Sequence, residues 1–253
     1  MKLEGKVALI PGGTKGIGFE IAKAYAAEGA IVVVASRKQE NVDEAVAALA
    51  EIGKADGIAC DISDPAAAKD MVAKVVEKHG EINVFLNSAG IYPNTPFAET
   101  PVEEAMAVFT VDLIGPYFTS QAVAQQMLKQ GKGGSIIFLT SGQALRGVPL
   151  MSHYSAAKGG VVALARCISS ELGVAGIRVN TIACGLTTTD TVKDNIPPEF
   201  MGMVAENIPL KRLGDPADYN GIAVLLASDE GSYITGTTIP VDGGTAEADA
   251  VHM

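Results

Sequence analysis

Seven short apolar runs constrain this chain more than any other feature: Val7–Ile10, Ile31–Ala35, Gly57–Cys60, Ile82–Leu86, Ser135–Thr140, Ile177–Ile182 and Thr237–Val241. Each is apolar on both faces and bounded by Gly, Asp or Asn. A strand with no polar face must be covered on both sides, which is the situation inside a parallel sheet. The stretches between the runs supply the cover. Ile17–Glu28 places Ile21, Ala22 and Tyr25 on one face, and Val42–Ile52 repeats Val42, Val46 and Leu49. Asp64-Pro65 opens a third helix as cap and first residue, and Met71, Val72, Val75 and Val76 follow at helical spacing. A fourth opens at Pro101 with Thr100 as its cap, and a long one runs from Tyr154 to Leu172. Strand and helix in alternation predict an α/β fold with a doubly wound parallel sheet of about seven strands and helices on both faces.

The alternation continues without a linker or a repeat, so one domain is expected over residues 1–253. Leu186–Gly214 fits it poorly. Pro197, Pro198 and Pro209 interrupt it, and Phe200, Met201 and Met203 form an apolar cluster. A long excursion in a compact domain is usually functional, and a lid over the site is the expectation.

Charge narrows the function. Nineteen Lys and Arg against 29 Asp and Glu give a formal net charge of −10. No nucleic-acid partner and no anionic membrane surface is therefore expected. No apolar run approaches the roughly 18–20 residues that span a bilayer. Val7–Pro11, preceded by Glu4 and Lys6, is too short and too charged for a signal segment. Cys60, Cys167 and Cys184 are far apart, with neither metal-ligand spacing nor a disulfide framework. Reduced thiols, no metal and a cytoplasmic location are expected.

The first run leads directly into Pro11-Gly12-Gly13-Thr14-Lys15-Gly16-Ile17-Gly18 and then a helix. Glycines allow a tight turn and let a pyrophosphate approach the helix N-terminus, where free N–H groups and the macrodipole favour an anion. This context predicts a Rossmann-type dinucleotide site. Residues 1–90 form mainly the dinucleotide-binding half and 91–253 the catalytic half. An acid at the end of the second strand would serve the ribose hydroxyl of NAD. The strand instead ends Ala35-Ser36-Arg37-Lys38. Arg37 can stack on adenine and pair with a 2′-phosphate, and Lys15 can reach the same group. NADP(H) is favoured over NAD(H), with Glu40 the alternative ribose ligand.

Tyr154 and Lys158 stand at i and i+4, on one helix face. Thirteen residues before Tyr154, Ser141 closes an apolar strand, and strand C-termini face the ligand crevice of doubly wound sheets. With the glycine turn, these residues make the sequence resemble the classical short-chain dehydrogenase/reductase family over essentially its whole length. Gly12, Gly16 and Gly18 match the family's turn, and Asn87-Ser88-Ala89-Gly90 its fourth-strand segment. Ser141, Tyr154 and Lys158 match its catalytic triad, and Val241-Asp242-Gly243-Gly244 its C-terminal signature. The resemblance implies cofactor contacts from Gly12, Thr14, Lys15, Gly16, Ile17 and Gly18, then from Ser36, Arg37, Asp61 and Ile62. Asn87, Ala89, Gly90, Tyr154, Lys158, Gly185, Thr187 and Thr189 complete that set.

The implied activity interconverts an apolar ketone or aldehyde and its secondary alcohol by hydride transfer. Ser141 hydrogen-bonds the carbonyl oxygen, and Tyr154 is the general acid/base. The Lys158 ammonium is expected to lower the phenol's pKa from its usual value of about 10. Asp112 stands where the family carries a catalytic Asn and brings a negative charge toward Lys158. Retained activity with an altered pH profile is expected. Cys184 replaces a Pro before Gly185, which frees φ and is expected to loosen the lid. A buried, inert thiol is the expectation for Cys184 itself.

Tyr92, Leu145, Met151, Leu186 and Phe200 are the candidate substrate residues, with Ile91, Val148 and Met203 beside them. Arg146 is read as a solvated charge, and His153 as a residue that packs or faces solvent. A 3-oxoacyl-acyl-carrier-protein reductase is the second reading, with Lys129 and Lys132 as docking candidates, though Ser170 stands where a basic residue is expected. A silent dinucleotide-sensing regulator is the reading from another class. The resemblance also implies a homo-oligomer, a tetramer or a dimer, built on the helices at Asp112–Gln130 and Tyr154–Leu172 and the last strand. The acidic tail, Thr245–Met253, either covers a neighbour's site or is disordered.

Overall fold

The computed structural model describes residues 1–245, apart from the side chain of Asn195. The tail from residue 246 on, and with it the tail reading, lies outside the described residues. Strand β1 (Val7–Pro11) is an interior strand of a sheet whose other strands are β2 (Ile31–Ser36), β3 (Ala55–Ala59), β4 (Val84–Asn87), β5 (Gly134–Ser141), β6 (Ile177–Cys184) and β7 (Thr238–Val241). The order is β3-β2-β1-β4-β5-β6-β7, and every pairing is parallel. This is the doubly wound sheet that the runs predict.

Alternation along each strand divides the core. Ala8 and Ile10 of β1 and Val32 and Val34 of β2 face one layer, formed by α1 (Gly16–Ala27), α2 (Gln39–Ala50) and a helix at Asn220–Ala227. Tyr25, Leu49 and Leu226 close it. Val7, Leu9 and Val33 face the other layer, formed by α3 (Pro65–His79), a helix at Gly115–Gln130 and a long helix at Ser152–Leu172. Met71, Met127 and Val161 fill that side, and Phe85 meets Phe138 edge to face at 6.4 Å. The two faces are thus equally apolar because each strand has two helical layers to satisfy.

Several boundaries differ from the sequence reading, the third strand for instance running Ala55–Ala59, and three of the differences have an identifiable cause. The fourth strand starts at Val84 rather than Ile82. The side-chain amide of Gln130 captures both the N–H and the carbonyl of Ile82, at 3.0 and 2.9 Å, so Ile82 is outside the ladder. Helix α4 (Val102–Phe109) is capped by Pro101, not Thr100. The Thr100 hydroxyl donates back to the Pro96 carbonyl at 3.0 Å. Asp112 does not open a regular helix. It lies in a π-helical turn, Thr110–Ile114, between α4 and α5 (Gly115–Gln130). By contrast Asp64 caps α3 as expected, accepting from Ala66 N–H at 2.8 Å.

The remaining helices are α6 (Gln143–Arg146), α7 (Ser152–Leu172), α8 (Asp190–Asn195), α9 (Pro198–Asn207) and α10 (Asn220–Ala227). Among the described residues no helix is long and apolar enough to cross a membrane.

Phe138 is fully buried on β5, one strand position from the crevice half of the sheet. Phe138→Ala is expected to cost about 3–5 kcal/mol, read as a lower midpoint in urea with an unchanged slope.

Candidate active site

The strand order reverses around β1, so the C-terminal ends of β1 and β4 diverge into a crevice. The glycine turn fills its floor. Gly12 adopts φ +77°, and a Cβ there would stand 2.6 Å from the Ser88 carbonyl carbon. Only glycine fits where the loop after β4 crosses it. That loop is fixed by Ser88 N–H donating to the Pro11 carbonyl at 2.9 Å, and it carries Ala89 and Gly90. Lys15 is the extended residue before α1, exposed, with Thr14 half-buried beside it. Gly16 and Ile17 form the first turn of α1, and Gly18 is buried in it. No side chain caps this helix end, so its N–H groups are open to an anion.

Ser36 closes β2, and Arg37 follows it into solvent. Neither Arg37 nor Lys15 has an acidic partner among the described residues. The end of β3 lies alongside, with Cys60 N–H bonded to the Ser36 carbonyl at 2.9 Å. Asp61 is exposed there and accepts from the Ser63 N–H and hydroxyl at 3.0 and 2.7 Å. Ile62 is buried, with its carbonyl against Gly115 at the start of α5. Asn87, 1% exposed at the end of β4, has a buried Oδ1 with no protein partner. An open helix end, two cations without acidic partners and an orphaned acceptor fit a dinucleotide.

The candidate reacting groups gather at the ends of β5 and β6 and on α7. Ser141 ends β5, pairs with Cys184 on β6, and its hydroxyl hydrogen-bonds the Tyr154 phenol. Lys158, one turn along α7, holds its ammonium 5.6 Å from the Tyr154 ring centre. It is buried and pairs with Asp112 at 2.9 Å. Burial opposes the Lys158 charge, but Asp112 and Tyr154 outweigh it and hold its pKa above the usual lysine value.

Tyr154 departs from expectation. Burial, then Asp112 and Cys184, raise its phenol above the usual tyrosine value, against the pull of Lys158 and Ser141. The Lys158 effect has the expected sign and loses. Cys184 is buried, and burial pushes its thiol up to about 12, which suits an inert core residue.

Residues 12–246 match the family profile described as Enoyl-(Acyl carrier protein) reductase. An L-rhamnose 1-dehydrogenase (NAD(P)(+)) from Sphingomonas sp. (strain SKA58) is 39% identical over 245 residues, covering 96% of each chain. The chain belongs to the short-chain dehydrogenase/reductase family. A 3-oxoacyl-acyl-carrier-protein reductase from Thermotoga maritima is 36% identical over 245 residues, covering 96% of this chain and 99% of that one. A putative short-chain alcohol dehydrogenase from Sinorhizobium meliloti 1021 superposes with a TM-score of 0.93 at 32% identity, covering 98% of this chain and 99% of that one. This short-chain dehydrogenase/reductase is an oxidoreductase of alcohol and carbonyl groups, and its cofactor is a nicotinamide dinucleotide.

The segment after β6 packs against the glycine turn. A Cβ at Gly16 would lie 3.3 Å from the Thr189 methyl. Thr189 caps α8, accepting from Val192 N–H, while Gly185 N–H bonds the Val241 carbonyl at 3.0 Å. Thr187 is turned inward, its hydroxyl 2.6 Å from that of Tyr219 and 3.0 Å from the Gly185 carbonyl. Cys184 extends β6, pairing with Ser141 and Val241, and Gly214 N–H returns to the Leu186 carbonyl at 2.9 Å.

Of the substrate candidates, Tyr92 meets the Tyr154 ring edge to face at 6.3 Å. Leu145 is exposed on α6, Phe200 is exposed on α9, and Leu186 is half-buried. Met151 differs, being buried at the head of α7. Sequence reasoning missed Leu150, whose φ of +70° is uncommon for a side chain with a Cβ. Its carbonyl accepts Thr95 N–H at 2.8 Å and ties the two loops around Tyr92 and Met151 together. Nothing in the local sequence signals that conformation. Arg146 is exposed, and His153 is buried as a packing residue, 3.5 Å from Glu104.

Gly12→Ala places a methyl among backbone atoms that cannot yield. The expected cost is about 1–3 kcal/mol in stability, with loss of the rise in Tm that added cofactor gives to the wild type. Thermal unfolding with and without cofactor reads both.

Proposed function

We propose that this enzyme is an NADP(H)-dependent oxidoreductase that interconverts an apolar ketone or aldehyde and its secondary alcohol. The carrying observation is the Ser141–Tyr154–Lys158 cluster at the mouth of the crevice, beside an anion-ready turn with Lys15 and Arg37 free of acidic partners. A bound nicotinamide would supply or accept the hydride. Ser141 would orient the carbonyl oxygen by hydrogen bonding. Tyr154 would give that oxygen its phenolic proton during reduction and take it back during oxidation. Lys158 would hold the phenol face and the cofactor ribose.

The apolar substrate class is supported by the exposed side chains around Tyr154. Tyr92 lies against Tyr154, and Leu145, Val148 and Leu150, exposed in the segment that leads into α7, have no side-chain hydrogen-bonding group for a polyol. The acyl-carrier-protein reading has less support. Lys132 is engaged by Glu81 at 2.7 Å, and the net charge of −10 repels an acidic carrier. An exposed apolar groove between α5 and α7, including Leu113, Tyr117, Phe118 and Leu164, supports the homo-oligomer. A dimer or tetramer by light scattering is the expected state, and the cytoplasm the expected location.

Absorbance loss of NADPH and NADH against apolar ketones, sugars and 3-oxoacyl thioesters tests the activity. Turnover of the ketones with NADPH is expected, and turnover confined to sugars or thioesters would move the substrate assignment to those classes. Arg37→Ala is expected to lower kcat/KM about 10–100-fold with NADPH, the worth of one or two charge-assisted hydrogen bonds, and to leave NADH unaffected. Tyr154→Phe should lower kcat by about 10²–10⁴-fold while cofactor still raises Tm. Cofactor binding with no turnover of any carbonyl in the wild type would favour the regulator reading.

A further inference from the structure

Asp112 is the one fully buried carboxylate among the described residues, and both of its oxygens receive donors. Oδ1 lies 2.9 Å from Lys158 Nζ. Oδ2 accepts the Ile91 N–H at 2.9 Å. The two donors belong to separate parts of the site, the catalytic helix α7 and the loop after β4. Gly90 leaves the gap that the pair occupies: a Cβ there would stand 2.5 Å from Asp112 Oδ1 and 3.2 Å from Lys158 Nζ. An amide cannot replace this carboxylate atom for atom. Asparagine has one acceptor oxygen, so its NH2 would face either the ammonium or the Ile91 N–H, donor against donor.

We propose that Asp112 is a positioning residue that neutralises Lys158, keeps Tyr154 a phenol, and so commits the site to carbonyl reduction near neutral pH while displacing alcohol oxidation to alkaline pH. The proposal rests on the activity assigned above. In reduction the carbonyl carbon gains a hydride from the reduced cofactor, the π bond opens onto oxygen, and that oxygen takes the Tyr154 proton. The phenolate left behind is reprotonated from solvent, and the cofactor is the species oxidised. Reduction therefore needs the phenol, whereas oxidation needs the phenolate to receive the alcohol's proton.

The groups that face Tyr154 come from four elements and from the loop after β4, where the neighbouring phenol of Tyr92 meets its ring edge to face at 6.3 Å. Lys158 on α7 and Ser141 on β5 favour the phenolate. Asp112 on the π-helical turn and Cys184 on β6 oppose it. Taking away the Asp112 charge leaves Lys158 uncompensated, and an unpaired buried cation draws the phenol proton off at lower pH.

The test is Asp112→Asn, followed by the ultraviolet difference spectrum of tyrosinate against pH. Tyr154→Phe in each background isolates Tyr154 from the other five tyrosines. The Tyr154 phenolate is expected to form about 1–2 pH units lower in Asp112→Asn than in wild type. The rising limb of alcohol oxidation should move down with it, and reduction should fade earlier on the alkaline side. The same titration in both proteins, with unchanged circular dichroism and Tm, overturns the proposal. Should Asp112→Asn fail to fold, Asp112→Ser carries no charge, needs less space and gives the same readout. The titration requires no substrate, so the two ideas fail separately. An absence of turnover would refute the activity, whereas an unmoved titration would refute the role of Asp112.

Discussion

Parallel pairing is the constraint on which everything else in this molecule depends. Parallel strands cannot be joined by a tight turn, so every strand must return through a crossover, and the crossovers become the two helical layers. All seven strands then end at the same edge of the sheet. Gly12, Gly90, Ser141 and Gly185 follow or close four different strands, yet they share that edge because the strands share a direction. The core serves the same arrangement. Phe85, Phe138 and Val161 on one face and Tyr25, Leu86 and Leu226 on the other fix the strand ends relative to α7. The reacting groups inherit their spacing from this packing rather than from contacts among themselves.

Within that edge, charge is distributed unevenly. The outer rim carries Lys15 and Arg37, exposed and without acidic partners, where a phosphate's own charge would complete them. The inner wall carries Lys158, already paired with Asp112 in a site closed to water. A buried ion pair is costly to assemble and costlier to break by removing one partner. A hydrogen bond from the Ile91 N–H to the other oxygen of Asp112 joins the loop after β4 to the pair. The inner wall is accordingly a single polar unit in an otherwise apolar surround.

Much of this was legible in the sequence. Strand runs apolar on both faces specified the parallel sheet, and the glycine turn and the Tyr154–Lys158 spacing pointed to the crevice and to the chemistry proposed for it. Those features are local, and the residues that carry them are neighbours along the chain or along one helix. What escaped was set by particular hydrogen-bond partners, some near and some distant, that local propensity does not announce. Gln130 withdraws Ile82 from the fourth strand from 48 residues away. Thr100 gives up its cap because Pro96 offers it a carbonyl. Leu150 is held in a left-handed conformation within a loop tied to Thr95. The charge at Asp112 could be read from its identity, but not the balance at Tyr154. Burial and Cys184 add to Asp112 there, and neither is visible before the chain is folded.

The π-helical turn at Thr110–Ile114 gives the rod from Val102 to Gln130 a built-in phase shift. One wide turn accommodates a residue more than an α-helical turn would, so the two halves of the rod present faces offset by that extra residue. α4 is thereby free to pack toward α7 at the substrate side, while α5 follows the sheet and lies against α3. The residue absorbed by the widened turn is in the segment that carries Asp112. Shortening this segment by one position would restore a regular helix and improve its backbone geometry, yet withdraw the carboxylate from Lys158. Helical regularity and the Asp112–Lys158 pair are thus competing demands on the same five residues, and this chain has resolved the competition in favour of the pair.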